Sequence, residues 1–176
     1  MKKVIVKTKL SSKDSFEGKL SDIDLDFSQI YWQHDRIYVP RNYAKNANYP
    51  RLIMRTEVRA VDQAPKYALI LRRHIEDSGV DIVEETAIKD YETTVNIILQ
   101  LGFRPIAEIS RQRQDLKMDE NNVIYLDKIE HLPNYYAKIE SNLAPNDSVV
   151  EAKLDLERTF KALGEADFIS SPYFEI

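Results

Sequence analysis

The chain has no cysteine. Disulfides, thiolate metal sites and cysteine nucleophiles are therefore excluded, and the composition fits a reducing compartment. Glycine is nearly as scarce, with only Gly18, Gly79, Gly102 and Gly164 in 176 residues. Neither a GxGxxG turn nor a phosphate-cradling P-loop can be built from these four. Gly18-Lys19-Leu20 lacks both the upstream glycine and the following Ser or Thr. The three histidines, His34, His74 and His131, lie far apart and form no metal-ligand spacing. There is no serine-centred nucleophile elbow. No apolar run approaches the ~20 residues of a spanning helix. Met1-Lys2-Lys3 starts like a signal peptide, but Val4-Ile5-Val6 is cut short by Lys7 and Lys9. A cytoplasmic protein with no membrane partner is expected. Positive charge is not in excess either: 25 Lys and Arg face 29 Asp and Glu, a net charge of −4. A dedicated nucleic-acid binder is usually basic, so nucleic acid is not an expected partner.

What is present is alternation. An apolar fraction of 43% with 31% charged residues argues for a folded domain rather than disorder. The length suits one domain over residues 1–176. From Lys3 to Leu10, Val4, Val6, Thr8 and Leu10 share one face, while Lys3, Ile5, Lys7 and Lys9 share the other. Arg51 to Arg59 repeats this, with Leu52, Met54, Thr56 and Val58 opposed to Arg51, Ile53, Arg55, Glu57 and Arg59. Lys66–Ile75 follows the same rule. Further strands are expected at Asp35–Val39, Val80–Ile88, Pro105–Arg113, Val123–Asp127 and Tyr135–Glu140, about eight in all. Helices are expected at Tyr91–Leu101, capped by Asp90 and ended by Gly102, and at Val149–Leu163, with Ser148 and Glu151 as a capping box and Gly164 as terminator. Ser11–Ser28 is ambiguous and admits a short helix. Pro40–Pro50 reads as a loop.

The polar strand faces are rich in cations although the protein is acidic. They carry Lys3, Lys7, Lys9, Arg51, Arg55, Arg59, Arg72, Arg111, Arg113 and Lys138. Glu57, Glu85, Asp127 and Glu140 accompany them. Like charges on neighbouring strands repel. The pattern becomes favourable if the faces meet an anion, since Arg forks and Lys ammonium groups bind phosphate oxygens well. The plain alternative is a solvated sheet face laced with ion pairs. Tyr31, Trp32, Tyr38, Tyr135 and Tyr136 read as core or rim aromatics, with nucleobase stacking as the sharper alternative.

Several segments carry a family resemblance in their order. Gln33-His34-Asp35-Arg36-Ile37-Tyr38 looks like a Q-x-D-x-Y strand. Arg51 and Arg55 stand where an inward arginine pair is found. Ala68–Arg72 resembles a strand ending in lysine, here arginine. Leu101-Gly102-Phe103 looks like the cyclase-type LGF, and Ile109–Arg113 like V-x-K-x-R. Tyr125–Glu140 is similar to L-D-x-V-x-x-L-G-x-F-x-E-I-E, and Ser171-Pro172-Tyr173 to a terminal S-x-Y. Together they resemble the CYTH superfamily, the triphosphate tunnel metalloenzymes, which includes class IV adenylate cyclases and thiamine triphosphatases. The resemblance implies an α+β fold: an eight-stranded antiparallel tunnel-like β-barrel with helices outside. Its inward cations, here Lys7, Lys9, Arg51, Arg55, Arg72, Arg111, Arg113 and Lys138, would bind a triphosphate.

The departures concern metal. The family's E-x-E-x-K reads Lys3-Val4-Ile5-Val6-Lys7, and its E-I-E reads Lys138-Ile139-Glu140. The L-G of the same region reads Leu132-Pro133. Hard cations such as Mg²⁺ need carboxylate oxygens, so replacing three acids, two of them by lysine, opposes a metal pocket. Glu85, Asp127 and Glu140 remain as candidate ligands for Mg²⁺ or Mn²⁺. The first expectation is a tunnel protein that binds a triphosphate or other phosphorylated small molecule, with a degenerate metal site. One alternative is an active metal-dependent adenylate cyclase or organic triphosphatase, with Lys7 activating the substrate. Another is an RNA-end or protein-interaction scaffold. Selectivity is assigned to the Pro40–Pro50 loop and rim aromatics. Phe174 and Ile176 are expected to dock on the domain or on a second copy.

Overall fold

A computed structural model describes residues 2–44, 49–60, 62–75, 80–169 and 173. Gly79, Ser171, Pro172, Phe174, Ile176 and the centre of the Pro40–Pro50 loop lie outside the described residues. The alternating segments form β1 (Lys2–Lys9), β2 (Tyr31–Pro40), β3 (Arg51–Val58), β4 (Lys66–Ile75), β5 (Val80–Ile88), β6 (Phe103–Lys117), β7 (Asn122–Ile129) and β8 (Tyr135–Leu143). They close into an antiparallel barrel in the order β1-β5-β4-β3-β2-β6-β7-β8. All eight expected strands and the α+β barrel are present. β2 starts four residues earlier than its apolar pattern suggests, because Tyr31 pairs with Arg113 on β6. Pro105 is accommodated inside β6 at a register shift beside Ile37 and Tyr38, where the ladder is already broken.

Among the described residues, three helices lie outside the barrel. The ambiguous Ser11–Ser28 stretch contains α1 (Lys13–Ser21), started by the Ser12 side chain accepting from the Ser15 N–H. α2 (Tyr91–Gln100) and α3 (Val149–Ala162) start in the same way, at Asp90 and Ser148. Gly164, at φ 79°, ends α3 against the Lys19 ammonium, a conformation and a clearance that a Cβ would spoil. Among the described residues, no helix is long and apolar enough to cross a membrane.

The barrel wall is apolar on both sides, in different places. Phe16 and Leu20 of α1 and Leu156 and Phe160 of α3 pack outside on Val4, Val6, Ile124, Leu126, Ala137 and Ile139. Ile98 of α2 packs on Tyr38 and Met54. A third cluster joins Ile37, Ile53, Ile70, Val83, Ile109, Ile129 and Tyr136. Ile37, Ile53 and Ile70 stand opposite one another across β2, β3 and β4. They share the alternation of Asp35 and Arg55, so this cluster lies inside the barrel.

Candidate anion site inside the barrel

Cross-strand register decides which side chains meet in the interior. Asp35 is opposite Arg55, Gln33 opposite Arg111, Arg113 opposite Asp127, Lys138 opposite both Lys7 and Tyr125, and Arg51 opposite Arg72. Lys7–Lys138 and Arg51–Arg72 are like-charge pairs, an arrangement that disfavours a sheet unless counter-charge is near.

The counter-charge is supplied by acids on the same faces. Arg55 grips Asp35 through Nε at 2.7 Å and Nη2 at 2.9 Å, and Arg111 Nη2 holds the same carboxylate. Asp35 and Arg111 are buried. Burial would raise the Asp35 pKa, but Arg111 and Arg55 overcome it and hold the carboxyl well below its usual range. Arg113 forks onto Asp127 at 2.6 and 2.7 Å, with both side chains 2% exposed or less. There too burial is overcome by the guanidinium, and Asp127 titrates lower than an ordinary carboxylate.

A second group is built largely from lysine. Glu140 accepts from Lys138 at 2.6 Å and Lys3 at 3.1 Å, with Arg72 Nη2 at 3.9 Å. Arg72 Nε also lies 3.0 Å from Asp81. Burial pushes the Lys138 ammonium down to about 7, against the upward pull of Glu140. Lys138 Nζ and the Arg113 guanidinium both lie over the Tyr125 ring, at 4.4 and 4.5 Å. Burial raises the Tyr125 hydroxyl to about 12.

Beside the start of β2 and the end of β3, Ser28, Gln29, Tyr31, Arg59, Ala60 and Gln63 line a cavity of about 240 Å³. The Arg59 guanidinium lies 4.0 Å from the Tyr31 ring centroid and contacts Glu57 and Asp115. Pro40–Pro50 joins the opposite ends of these two strands.

No protein-family model matches the chain. No curated protein matches it by sequence. Solved structures do match over nearly the whole length. The PH1819 protein of Pyrococcus horikoshii superposes with a TM-score of 0.84 at 20% identity, covering 98% of this chain and 96% of its own. A candidate adenylate cyclase of Vibrio parahaemolyticus gives 0.80 at 16% identity, covering 98% and 95%. The chain has the triphosphate-tunnel fold. A plant protein of that fold type from Hippeastrum, described as an adenylyl cyclase candidate with a dominant triphosphatase activity, gives 0.60 at 15% identity, covering 97% and 91%. The CYTH resemblance read from motif order thus holds at the level of fold.

Within this tunnel, the candidate metal ligands are not brought together. Among the described residues, no three of His, Asp and Glu form a group able to hold a metal ion. Asp127 has both oxygens on Arg113. Glu140 has both oxygens on lysines. Glu85 is exposed on β5, opposite Ile70. A donor set that is already neutralised by fixed cations does not fit Mg²⁺ or Mn²⁺. Of the candidate anion ligands, Arg55, Arg72, Arg111, Arg113 and Lys138 enter the ion-pair network. Lys7 lies opposite Lys138, Arg51 opposite Arg72, and Lys9 opposite Tyr136. Sequence reasoning assigned no site role to Asp35, Asp81, Tyr125 or Tyr173, although it quoted Asp35 in the Q-x-D-x-Y strand and Tyr173 in the terminal S-x-Y. Their place in the alternation was the available signal for the first three.

Proposed function

We propose that the barrel interior binds a triphosphate or another phosphorylated small molecule through fixed cations, without a resident divalent metal. One observation carries this reading: the interior acids are shared. Asp35 serves both Arg55 and Arg111, and Glu140 serves Lys138, Lys3 and Arg72. Cations held two or three to a carboxylate gain by meeting further negative charge, and an entering phosphate supplies it. Lys7, Lys9, Arg51, Arg55, Arg72, Arg111, Arg113 and Lys138 are the proposed ligand residues. The triphosphatase activity of the Hippeastrum protein supports the choice of ligand class.

Thermal unfolding with tripolyphosphate, ATP and thiamine triphosphate, each with Mn²⁺ and with EDTA, tests the reading. Ligand at 100 Kd adds about 2.7 kcal/mol to folding. Stabilisation that survives EDTA is the expected result. Stabilisation that requires Mn²⁺ replaces it with the metal-dependent cyclase or triphosphatase reading, in which Lys7 is the candidate activating group. No shift with any of the three overturns anion binding and leaves the scaffold reading.

A further inference from the structure

The described residues after α3 run beside β1. The Lys9 N–H donates to the Asp167 carbonyl at 3.1 Å, and the Ile169 N–H donates to the Lys7 carbonyl at 2.9 Å. Thr8 Oγ1 donates to the Asp167 carbonyl at 3.0 Å, and Phe168 forms a β-bridge with Thr8. β5 pairs with β1 only along Lys2–Val4. The C-terminal segment therefore takes the part of the β1 edge that β5 leaves open. From there Ile169 and Tyr173 pack on the interior apolar cluster. The Tyr173 ring lies 5.5 Å from that of Tyr136, and Lys7 Nζ lies 5.2 Å from its centroid.

Three buried polar atoms that bear on this place have no hydrogen-bond partner among the described residues: the Tyr173 hydroxyl, Arg111 Nε and Gln33 Oε1. Two of them are donors. Arg111 spends Nη2 on Asp35, and Gln33, opposite Arg111, spends Nε2 on Glu57. Burial raises the Tyr173 hydroxyl above the ordinary tyrosine range and keeps it a donor, with Asp127 adding to the rise and Arg113 and Arg111 opposing it. Buried donors are ordinarily satisfied, so orphan donors within a cation-rich interior point to an oxygen-bearing ligand. The Gln33 acceptor suits a protonated phosphoryl oxygen or a water.

We propose that Tyr173 contacts the ligand: its hydroxyl and the Arg111 Nε–H donate to phosphoryl oxygens of the bound anion, and the segment paired with β1 delivers it. The inference rests on the reading of the interior as an anion site. It assigns Tyr173 to the binding site itself, rather than to the outside of the barrel.

The test is calorimetric titration of the full chain with tripolyphosphate, beside thermal unfolding without ligand. Tyr173→Phe keeps the ring and removes only the hydroxyl. The expected result is binding about tenfold weaker, the size of one lost hydrogen bond to a charged group. Its unfolding midpoint without ligand stays equal or rises, because an unsatisfied buried hydroxyl has gone. Ile169→Pro, which deletes the donor that ties the segment to Lys7, should weaken binding in the same direction. Wild-type binding with an unchanged affinity in Tyr173→Phe overturns this inference and leaves the anion site standing. A lowered midpoint with unchanged affinity overturns it too, since the hydroxyl is then structural. No binding by the wild type overturns the anion site and this inference together.

Discussion

Two regions share the inside of one barrel and are held together by opposite means. In the apolar cluster, Ile37, Ile53 and Ile70 line up across three strands and are buried with Val83, Ile109 and Ile129. Two residues along the same strands, Asp35 and Arg55 form a forked ion pair. The apolar cluster gains by leaving water. The charged network loses by it, and recovers the loss only through well-made pairs. A chain selected for stability alone could extend the isoleucines. The charges, with carboxylates shared among several cations, are the feature on which the proposed anion site rests.

The comparison breaks most visibly if one partner of a sealed pair is removed. Asp127→Ala leaves the Arg113 guanidinium buried without its carboxylate. A loss of about 3–5 kcal/mol is expected in urea unfolding, and a loss under 1 kcal/mol would mean that the pair is hydrated in solution. In the other region, Ile53→Ala should cost about 2–5 kcal/mol through lost burial and the cavity left behind. Its affinity for tripolyphosphate should stay near wild type; a large loss would mean that the apolar cluster also shapes the ligand site.

Titration separates the two regions next. Asp35, Asp127 and Glu140 are held below the ordinary carboxylate range by their cations, which outweigh burial. They contribute stability above the unfolded carboxylate pKa of about 4, and that stability is lost as pH falls through their lower folded values. Lys138 has the opposite sign. Its folded pKa, pushed to about 7, lies under the unfolded value of 10.5, so the unfolded chain binds its proton more tightly. The penalty is full below pH 7 and is relieved as pH climbs to 10.5. Lys138→Met should therefore gain stability relative to wild type at pH 6 and lose that advantage by pH 10. A gain independent of pH would show that Lys138 is not titrating there.

The smallest stability effect is expected from replacing a whole pair. Arg113→Met with Asp127→Leu removes both charges at similar volume, and should leave urea stability unchanged or raised. The same double variant should bind tripolyphosphate much more weakly. Retained binding would remove Arg113 from the site.

Much of this was legible because period-two alternation is local. Each strand announced its two faces, and the caps Asp90 and Ser148 with the terminators Gly102 and Gly164 marked both long helices. α1 was less visible because only Phe16 and Leu20 of its nine residues are buried. The isoleucines were visible too: Ile53 and Ile70 stand on the charged faces of their strands, and Ile37 shares the face of Asp35. Their gathering into an interior core was not, since it requires β2, β3, β4, β5, β6, β7 and β8 to converge. The partners of the metal candidates were hidden for a related reason. Glu85, Asp127 and Glu140 are all on polar faces, but the register gives Asp127 to Arg113 and Glu140 to Lys138 and Lys3.

The sequence by itself determined the strands, the helices outside them and a cationic polar face, because these follow from spacing along a few residues. Only the tertiary structure decided which face became the interior and which cation took which acid. It also decided that Tyr173 came to lie over Lys7, 166 positions earlier in the chain. Arg111 and Asp35 likewise stand 76 residues apart. Pairings at that separation are set by barrel closure and ladder register, and no local pattern encodes either.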